Sequence, residues 1–262
     1  MFILKINLLR WSQKIIVSFK FLVNSLSIFK PSNFFCNRAI QQMIVVGPES
    51  LSICIITAFC IGLVFTLQVV KEFLYLDATS LLGAILSLAF IRELSPVLTA
   101  VIIAGRIGSA FTAELATMKI TDQIDALYLL KTDPLLYLVF PRVIACTSML
   151  PILNIISWFT SLSISLFTCF VFYNVDPWIF LKSVYLALSY WDFFKSFLKT
   201  LIFGLIISCI SCSWGLTTVG GSKGVGQSTT SSVVTSLLII FIMDFILSSV
   251  MFYQSSSAIK SL

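Results

Sequence analysis

Residues 51–70 read LSICIITAFCIGLVFTLQVV, twenty consecutive positions without a charge. A helix rises 1.5 Å per residue, so about twenty apolar residues cross the ~30 Å hydrocarbon core of a bilayer. Gly47 and Pro48 punctuate the start of this run, and Lys71 and Glu72 its end. Four more stretches share its character. Residues 81–105 are interrupted by Arg92, Glu93 and Pro96, and residues 143–173 contain Pro151, where an irregularity is expected. Residues 201–216 form the fourth, and 233–253 the fifth, with Asp244 near its middle. The sequence predicts an all-α polytopic membrane protein of about five transmembrane helices. An N-terminal amphipathic or interfacial helix and a short helix in a cytosolic or stromal loop complete the expected fold.

Composition agrees. The 262 residues are 58% hydrophobic and 11% charged, with a mean hydropathy of +1.04. A soluble domain carries roughly 25% charged residues, so most of this surface must face something other than water. A β-barrel would show alternating segments of about ten residues, and the runs here are longer and continuously apolar. The net charge is +6 with no histidine, which excludes His triads, His metal sites and His proton relays. Lys5, Arg10, Lys14, Lys20, Lys30 and Arg38 all precede the first acidic residue. In so apolar a chain this fits the positive-inside rule rather than nucleic-acid binding, and places the N-terminus on the side of synthesis.

Three segments follow: a basic amphipathic or interfacial segment over 1–46, a membrane domain over 47–254 and a short tail over 255–262. Residues 11–29 suit a helix lying on the membrane surface. The connection 106–142 is expected on the cytosolic, stromal or matrix side with 217–232. Residues 71–79, 176–199 and the C-terminus are expected opposite. Arg106, Lys119, Lys131 and Arg142 agree with this topology, whereas Lys182, Lys195 and Lys199 do not. The cysteines lie mostly in apolar runs and read as small buried hydrophobes. Cys209 and Cys212 form a CxxC with no second pair or histidine, so no metal or redox site is expected.

Against this apolar background stands 90–130, FIRELSPVLTAVIIAGRIGSAFTAELATMKITDQIDALYLL. Charge at membrane depth is costly and marks function or a specific partner. Arg92 and Glu93 are sequence neighbours and cannot face one another on a helix, so each pairs elsewhere or meets water. Pro96 frees a carbonyl one turn earlier, around Arg92. A polar cavity or hinge and a structural cluster that fixes helix register remain equal readings. Ala104, Gly108 and Thr112 are spaced for close helix approach. Thr121 is expected to cap a short helix bearing Asp122 in its first turn and Lys131 in its last, stopped by Pro134. Ile120, Ile124 and Leu127 form its apolar face. That helix either docks into a groove on a soluble partner or rests on headgroups, where Asp122 and Asp125 would be out of place.

Asp244 would become neutral in isolation or find a basic partner. Proton-coupled transport uses such a group, and a hydrogen bond to a Ser-rich helix is the structural alternative. Residues 221–228, GSKGVGQS, approach a phosphate loop, but Gln227 stands where its Lys must be and no strand precedes it. Nucleotide binding is rejected there in favour of a flexible turn and a Ser/Thr-rich helix start.

Arg92–Ala100, Ala104–Ala110 and Ala113–Leu127 together resemble the signature of the MlaE-type permease family, the membrane subunit of ABC lipid transporters. Ser95 replaces the usual Gly and Asp122 the usual Glu. The resemblance runs over roughly 40–254, through Pro141 and Arg142, the Gly-rich stretch and the acid-bearing last span. It implies a permease homodimer, an ABC ATPase subunit, an MCE-domain lipid-binding protein and a membrane lipid substrate, with no nucleic acid. It assigns ATPase coupling to Glu114, Lys119, Asp122, Gln123 and Asp125. Arg92, Glu93, Arg106 and Asp244 are the intramembrane polar or structural candidates. No catalytic, cofactor-binding or metal-binding residue is expected, and no cofactor. The Phe-, Ile-, Ser- and Lys-rich composition and the missing transit peptide suggest a plastid-encoded relative in the inner envelope, with the bacterial inner membrane as the alternative. The competing function is an ion- or proton-coupled secondary transporter using Asp244 with Arg92 and Glu93, although no inverted repeat is visible.

Overall fold

Among the described residues, five helices are long and apolar enough to cross a membrane, over Asn37–Tyr75, Thr79–Ile120, Leu135–Tyr173, Tyr190–Leu216 and Gly221–Met251. The computed structural model describes residues 33–76 and 78–252. The expected surface helix at 11–29 and the tail at 255–262 lie outside the described residues. Large apolar side chains such as Ile56, Val64, Phe172, Phe245 and Val250 stand exposed along the spans. In water such a surface is an aggregation liability, and in lipid it is the required exterior.

Helix α1 (Asn33–Val46) is separated by Gly47 from α2 (Pro48–Tyr75), which starts on the proline at its first position. A short 3₁₀ turn leads into α3 (Leu82–Ala89), α4 (Ser95–Ile103) and α5 (Ser109–Ile120), and α6 (Gln123–Leu129) follows. Then come α7 (Phe140–Tyr173), α8 (Pro177–Ala187), α9 (Tyr190–Leu216) and α10 (Gly221–Phe252). Among the described residues there is no strand.

Among the described residues, three turns of π-helix interrupt the ladder, at Phe90–Leu94, Ala104–Gly108 and Leu135–Val139. The first and third are followed two residues later by Pro96 and Pro141. A proline has no N–H to return to the carbonyl four residues back, and the wider π register relieves that position. Helix α7 continues through Pro151, so the proline expected to make the span irregular does not end the helix. The third span's π turn lies at its start, beside Pro141.

Several expected boundaries shift. The second span runs to Ile120, so Arg106 and Glu114 lie within it and the following connection is shorter than 106–142. The fourth helix starts at Tyr190 instead of 201, which brings Asp192, Lys195 and Lys199 into the helix. The fifth starts at Gly221, so most of the supposed loop is helical. Its turn uses Gly220 at φ 101° and Gly221 at φ 68°, a conformation glycine adopts freely.

Contacts divide the chain into two units. One contains the described residues up to Ser50, with Ala100–Leu150 and Leu201–Phe241. Its core gathers Leu115, Ile124, Leu138, Val143, Cys209 and Cys212, so both CxxC cysteines serve as buried apolar side chains. A Cβ on Gly215 would lie 2.6 Å from Leu115 Cβ and 3.1 Å from the Thr112 carbonyl. Only glycine permits that approach of α5 to α9.

The other unit contains Leu51–Thr99, Pro151–Thr200 and the described residues from Ile242. Its core includes Leu82, Leu86, Phe90, Trp158, Phe180 and Val184. Phe65 and Phe90 meet edge to face at 5.6 Å. Helix α8 opens with Asp176 accepting a hydrogen bond from the Trp178 N–H at 2.9 Å, with Pro177 at its first position. It packs on α3, where a Cβ on Gly83 would strike the Phe180 carbonyl and the Ser183 hydroxyl.

Candidate functional site

Lys199 is completely buried, and its ammonium gathers the second unit's polar groups. Nζ lies 2.9 Å from Glu93 Oε2 and 2.5 Å from Asp244 Oδ1. It also lies 2.8 Å from the Ser248 hydroxyl and 3.0 Å from the Arg92 carbonyl. That carbonyl is the one Pro96 cannot serve, since a proline at i+4 has no N–H to give. Lys199 thus occupies a vacancy written into the sequence of a different span. Ser248 Oγ also meets Glu93 Oε2 at 3.1 Å. One cation bridges the second, fourth and fifth spans.

The charges do not cancel. One ammonium faces two carboxylates, so this group alone carries a formal −1. The Glu93 side chain keeps 44% exposure, against 18% for Asp244 and 0% for Lys199. Arg92 turns elsewhere: its Nε and Nη2 both lie 2.9 Å from Asp192 Oδ1. Ser189 donates to the other oxygen of Asp192 at 2.8 Å, so this acid is held on both sides.

A hydroxyl–amide chain adjoins the cluster. Ser95 Oγ donates toward Asn154 Oδ1 at 2.7 Å, and Asn154 Nδ2 donates to Ser196 at 2.9 Å. All three side chains are buried. Asn154 and Ser196 also line an apolar groove of about 310 Å3, walled by Ile91, Trp158, Phe193 and Phe197. The groove is shaped and lined to accept hydrocarbon.

Residues in the first unit are arranged differently. Glu114 Oε2 accepts from Arg142 Nη2 at 2.7 Å, with the arginine buried and the carboxylate half exposed. Arg106 donates to the Glu49 backbone carbonyl and lies 3.8 Å from its carboxylate. Helix α6 inserts Ile124 into the core and leaves Gln123, Asp125, Tyr128 and Leu129 exposed. Lys119 pairs with Asp125 at 3.0 Å on the surface. Thr121 does not cap α6; its hydroxyl returns to the Thr117 carbonyl at 2.9 Å. The position before α6 belongs to Asp122, at φ 56° and without a side-chain cap. That left-handed geometry is one Asp tolerates better than most residues. Lys131 falls beyond the helix, also left-handed, at φ 55°. Pro134 leads into the following helix.

Of the residues singled out from sequence, Glu93 and Asp244 converge on one cation, whereas Arg92 and Arg106 find separate acids. Lys199, Asp192, Glu49 and Arg142 complete these pairs and were not singled out. A signal for two of them exists. Asp192, Ser196 and Lys199 stand at i, i+4 and i+7, one face of a helix, once the helix is allowed to begin before residue 192.

Comparison with known proteins gives consistent relatives. The family described as Permease MlaE matches residues 39–250. A probable ABC transporter permease protein, ycf63, of Pyropia yezoensis is 54% identical over 98% of this chain and 97% of its own length. A probable ABC transporter permease protein of Synechocystis is 52% identical, covering 92% of each chain. Protein TRIGALACTOSYLDIACYLGLYCEROL 1, chloroplastic, of Arabidopsis thaliana is 46% identical over 86% of this chain and 64% of its own.

Proposed function

Because this chain belongs to the MlaE permease family of ABC transporter membrane subunits, we propose that it moves phospholipid or another membrane lipid across or between envelope membranes. A separate ATPase chain supplies the energy. The observation that carries the reading is α6, a short helix anchored by Ile124 that presents Gln123, Asp125, Tyr128 and Leu129 outward. An anchored core face with a mixed acidic and apolar outer face suits a groove on a soluble subunit. Glu114, Lys119 and Asp122 border it and are assigned to the same coupling surface. The apolar groove beside Asn154 supports a hydrocarbon cargo, as does the glycolipid in the name of the Arabidopsis relative.

The remaining parts follow from the family resemblance. The permease works as a homodimer with an MCE-domain lipid-binding partner. The sparsely covered fifth span offers exposed Phe245 and Val250 for pairing. The relatives from a red alga and a chloroplast support a plastid envelope membrane, and we assign the inner one.

The test is affinity purification of the tagged chain from its native membrane. An ATPase subunit and bound lipid should co-purify. The Asp122→Lys/Asp125→Lys variant should keep its fold and lose lipid-stimulated ATP hydrolysis by about tenfold or more, the scale of one or two lost charged contacts. Unchanged stimulation in that variant would remove α6 from the coupling role.

A further inference from the structure

The apolar groove of the second unit holds hydrogen-bond donors that have nothing to donate to. Ile91, Phe193 and Phe197 form much of its wall, and three polar residues interrupt the apolar lining: Asn154, Trp158 and Ser196. Their exposures are only 4%, 6% and 3%. Asn154 Oδ1 is taken by the Ser95 hydroxyl at 2.7 Å. Asn154 Nδ2 spends one of its two hydrogens on Ser196 Oγ at 2.9 Å. Ser196 Oγ therefore accepts from the amide and still has its own O–H to give. Trp158 Nε1 is a donor only, and it is buried without a hydrogen-bond partner. Phe193 meets that indole edge to face at 5.1 Å, which fixes the ring at the groove wall. Buried donors left in this state carry a desolvation cost until an acceptor arrives.

The chemistry of the lining selects that acceptor. A hydroxyl or amine would bring a further donor to a place that lacks acceptors. A carboxylate would bring a charge, and no charged residue lines the groove to offset it. An ester carbonyl brings acceptor capacity, no donor and no charge. The volume of about 310 Å3 lies at the lower end of the ~300–1,000 Å3 usual for ligand pockets. That size suits one hydrocarbon chain rather than the two chains of a diacyl lipid.

We propose that this groove holds one acyl chain of an ester lipid, whose ester carbonyl accepts a hydrogen bond from the Ser196 hydroxyl. The chain lies against Ile91, Phe193 and Phe197, and the headgroup and any second chain stay outside. Asn154 is a positioning residue: pinned by Ser95, it occupies the acceptor side of Ser196 Oγ and leaves the hydroxyl hydrogen for the ligand. The assignment rests on the proposed function only in taking a lipid as the ligand.

Native mass spectrometry of the purified full chain, with no ATPase and no ATP, tests this. The probes are oleoyl lysophosphatidylcholine and its ether-linked counterpart, which differ only in the ester carbonyl. The wild type and Lys182→Gln, an exposed control, should retain the ester about fivefold better, the scale of one neutral hydrogen bond. Ser196→Ala should bind both probes equally. Ile155 lines the groove and is exposed, so Ile155→Trp narrows the opening with Ser196 in place and should weaken both probes. Equal retention of the two probes by the wild type overturns the assignment. So does an ester preference that survives in Ser196→Ala, or unchanged binding in Ile155→Trp. An intact ester preference in a chain that moves no lipid with ATP would overturn the proposed function and leave the groove assignment standing.

Discussion

Replacing Lys199 by Met keeps most of the side chain's volume and removes its charge. Each pair, at 2.9 Å and 2.5 Å, has a gross attraction of about 6 kcal/mol at an effective dielectric near 20, most of it offset by desolvation. The variant strands two carboxylates and the Arg92 carbonyl. Removing one partner of a buried pair costs about 3–5 kcal/mol. Glu93 is 44% exposed against 18% for Asp244, so one of the two stranded acids is far from fully buried and the lower end applies. We expect a loss of about 3 kcal/mol, or roughly a hundredfold in the unfolding equilibrium. The assay is detergent-driven unfolding, with Lys182→Met, an exposed position, as the control. Adding Asp244→Asn and Glu93→Gln to Lys199→Met should recover more than half of the loss, because the stranded charges disappear. A Lys199→Met variant as stable as the control would refute the reasoning, as would a triple variant no better than the single one.

Three further outcomes follow from the packing. Ser95→Gly restores the residue the family pattern usually carries there and deletes a hydrogen bond to Asn154. Intramembrane hydrogen bonds average about 0.6 kcal/mol, so the same assay should register a loss below about 1 kcal/mol. Gly215→Val drives a side chain into Leu115 and the Thr112 carbonyl and should cost about 1–3 kcal/mol. Gly105, in contrast, has open space at its Cβ. Gly105→Ala should leave stability unchanged or raise it by up to about 1 kcal/mol, through helix propensity.

The five spans were legible because hydrocarbon demands long uncharged runs, and residues 51–70 meet that demand without ambiguity. The ends were less legible because charge was taken as a boundary. Asp192 and Lys199 sit inside α9, each with an opposite charge supplied by another span. A sequence window sees their charge and not their partner. The turn and the Ser/Thr-rich helix start read in 217–232 are both present, but the helix begins already at Gly221, well before the span expected from 233. Glycine weakens a helix in water, but in a membrane protein small residues allow close helix approach and lipid leaves the backbone no other partner. The carbonyl freed by Pro96 was predictable from local chemistry; that Lys199 accepts the role was not, since nothing local links residues 107 positions apart. The α6 apolar face was readable from its period, whereas its start was not. A left-handed Asp122 is a tertiary choice that Thr121, the better capping residue by type, concealed.

In the proposed function, lipid movement through this permease is driven by ATP hydrolysed in a separate subunit. The most direct measurement reconstitutes the chain with its co-purified ATPase in vesicles containing a fluorescent phospholipid, with ATP and a proton gradient imposed separately. The account predicts lipid movement that requires ATP, survives collapse of the gradient and is lost in Asp122→Lys/Asp125→Lys. Movement that follows the gradient without ATP, and stops in Asp244→Asn, would contradict it.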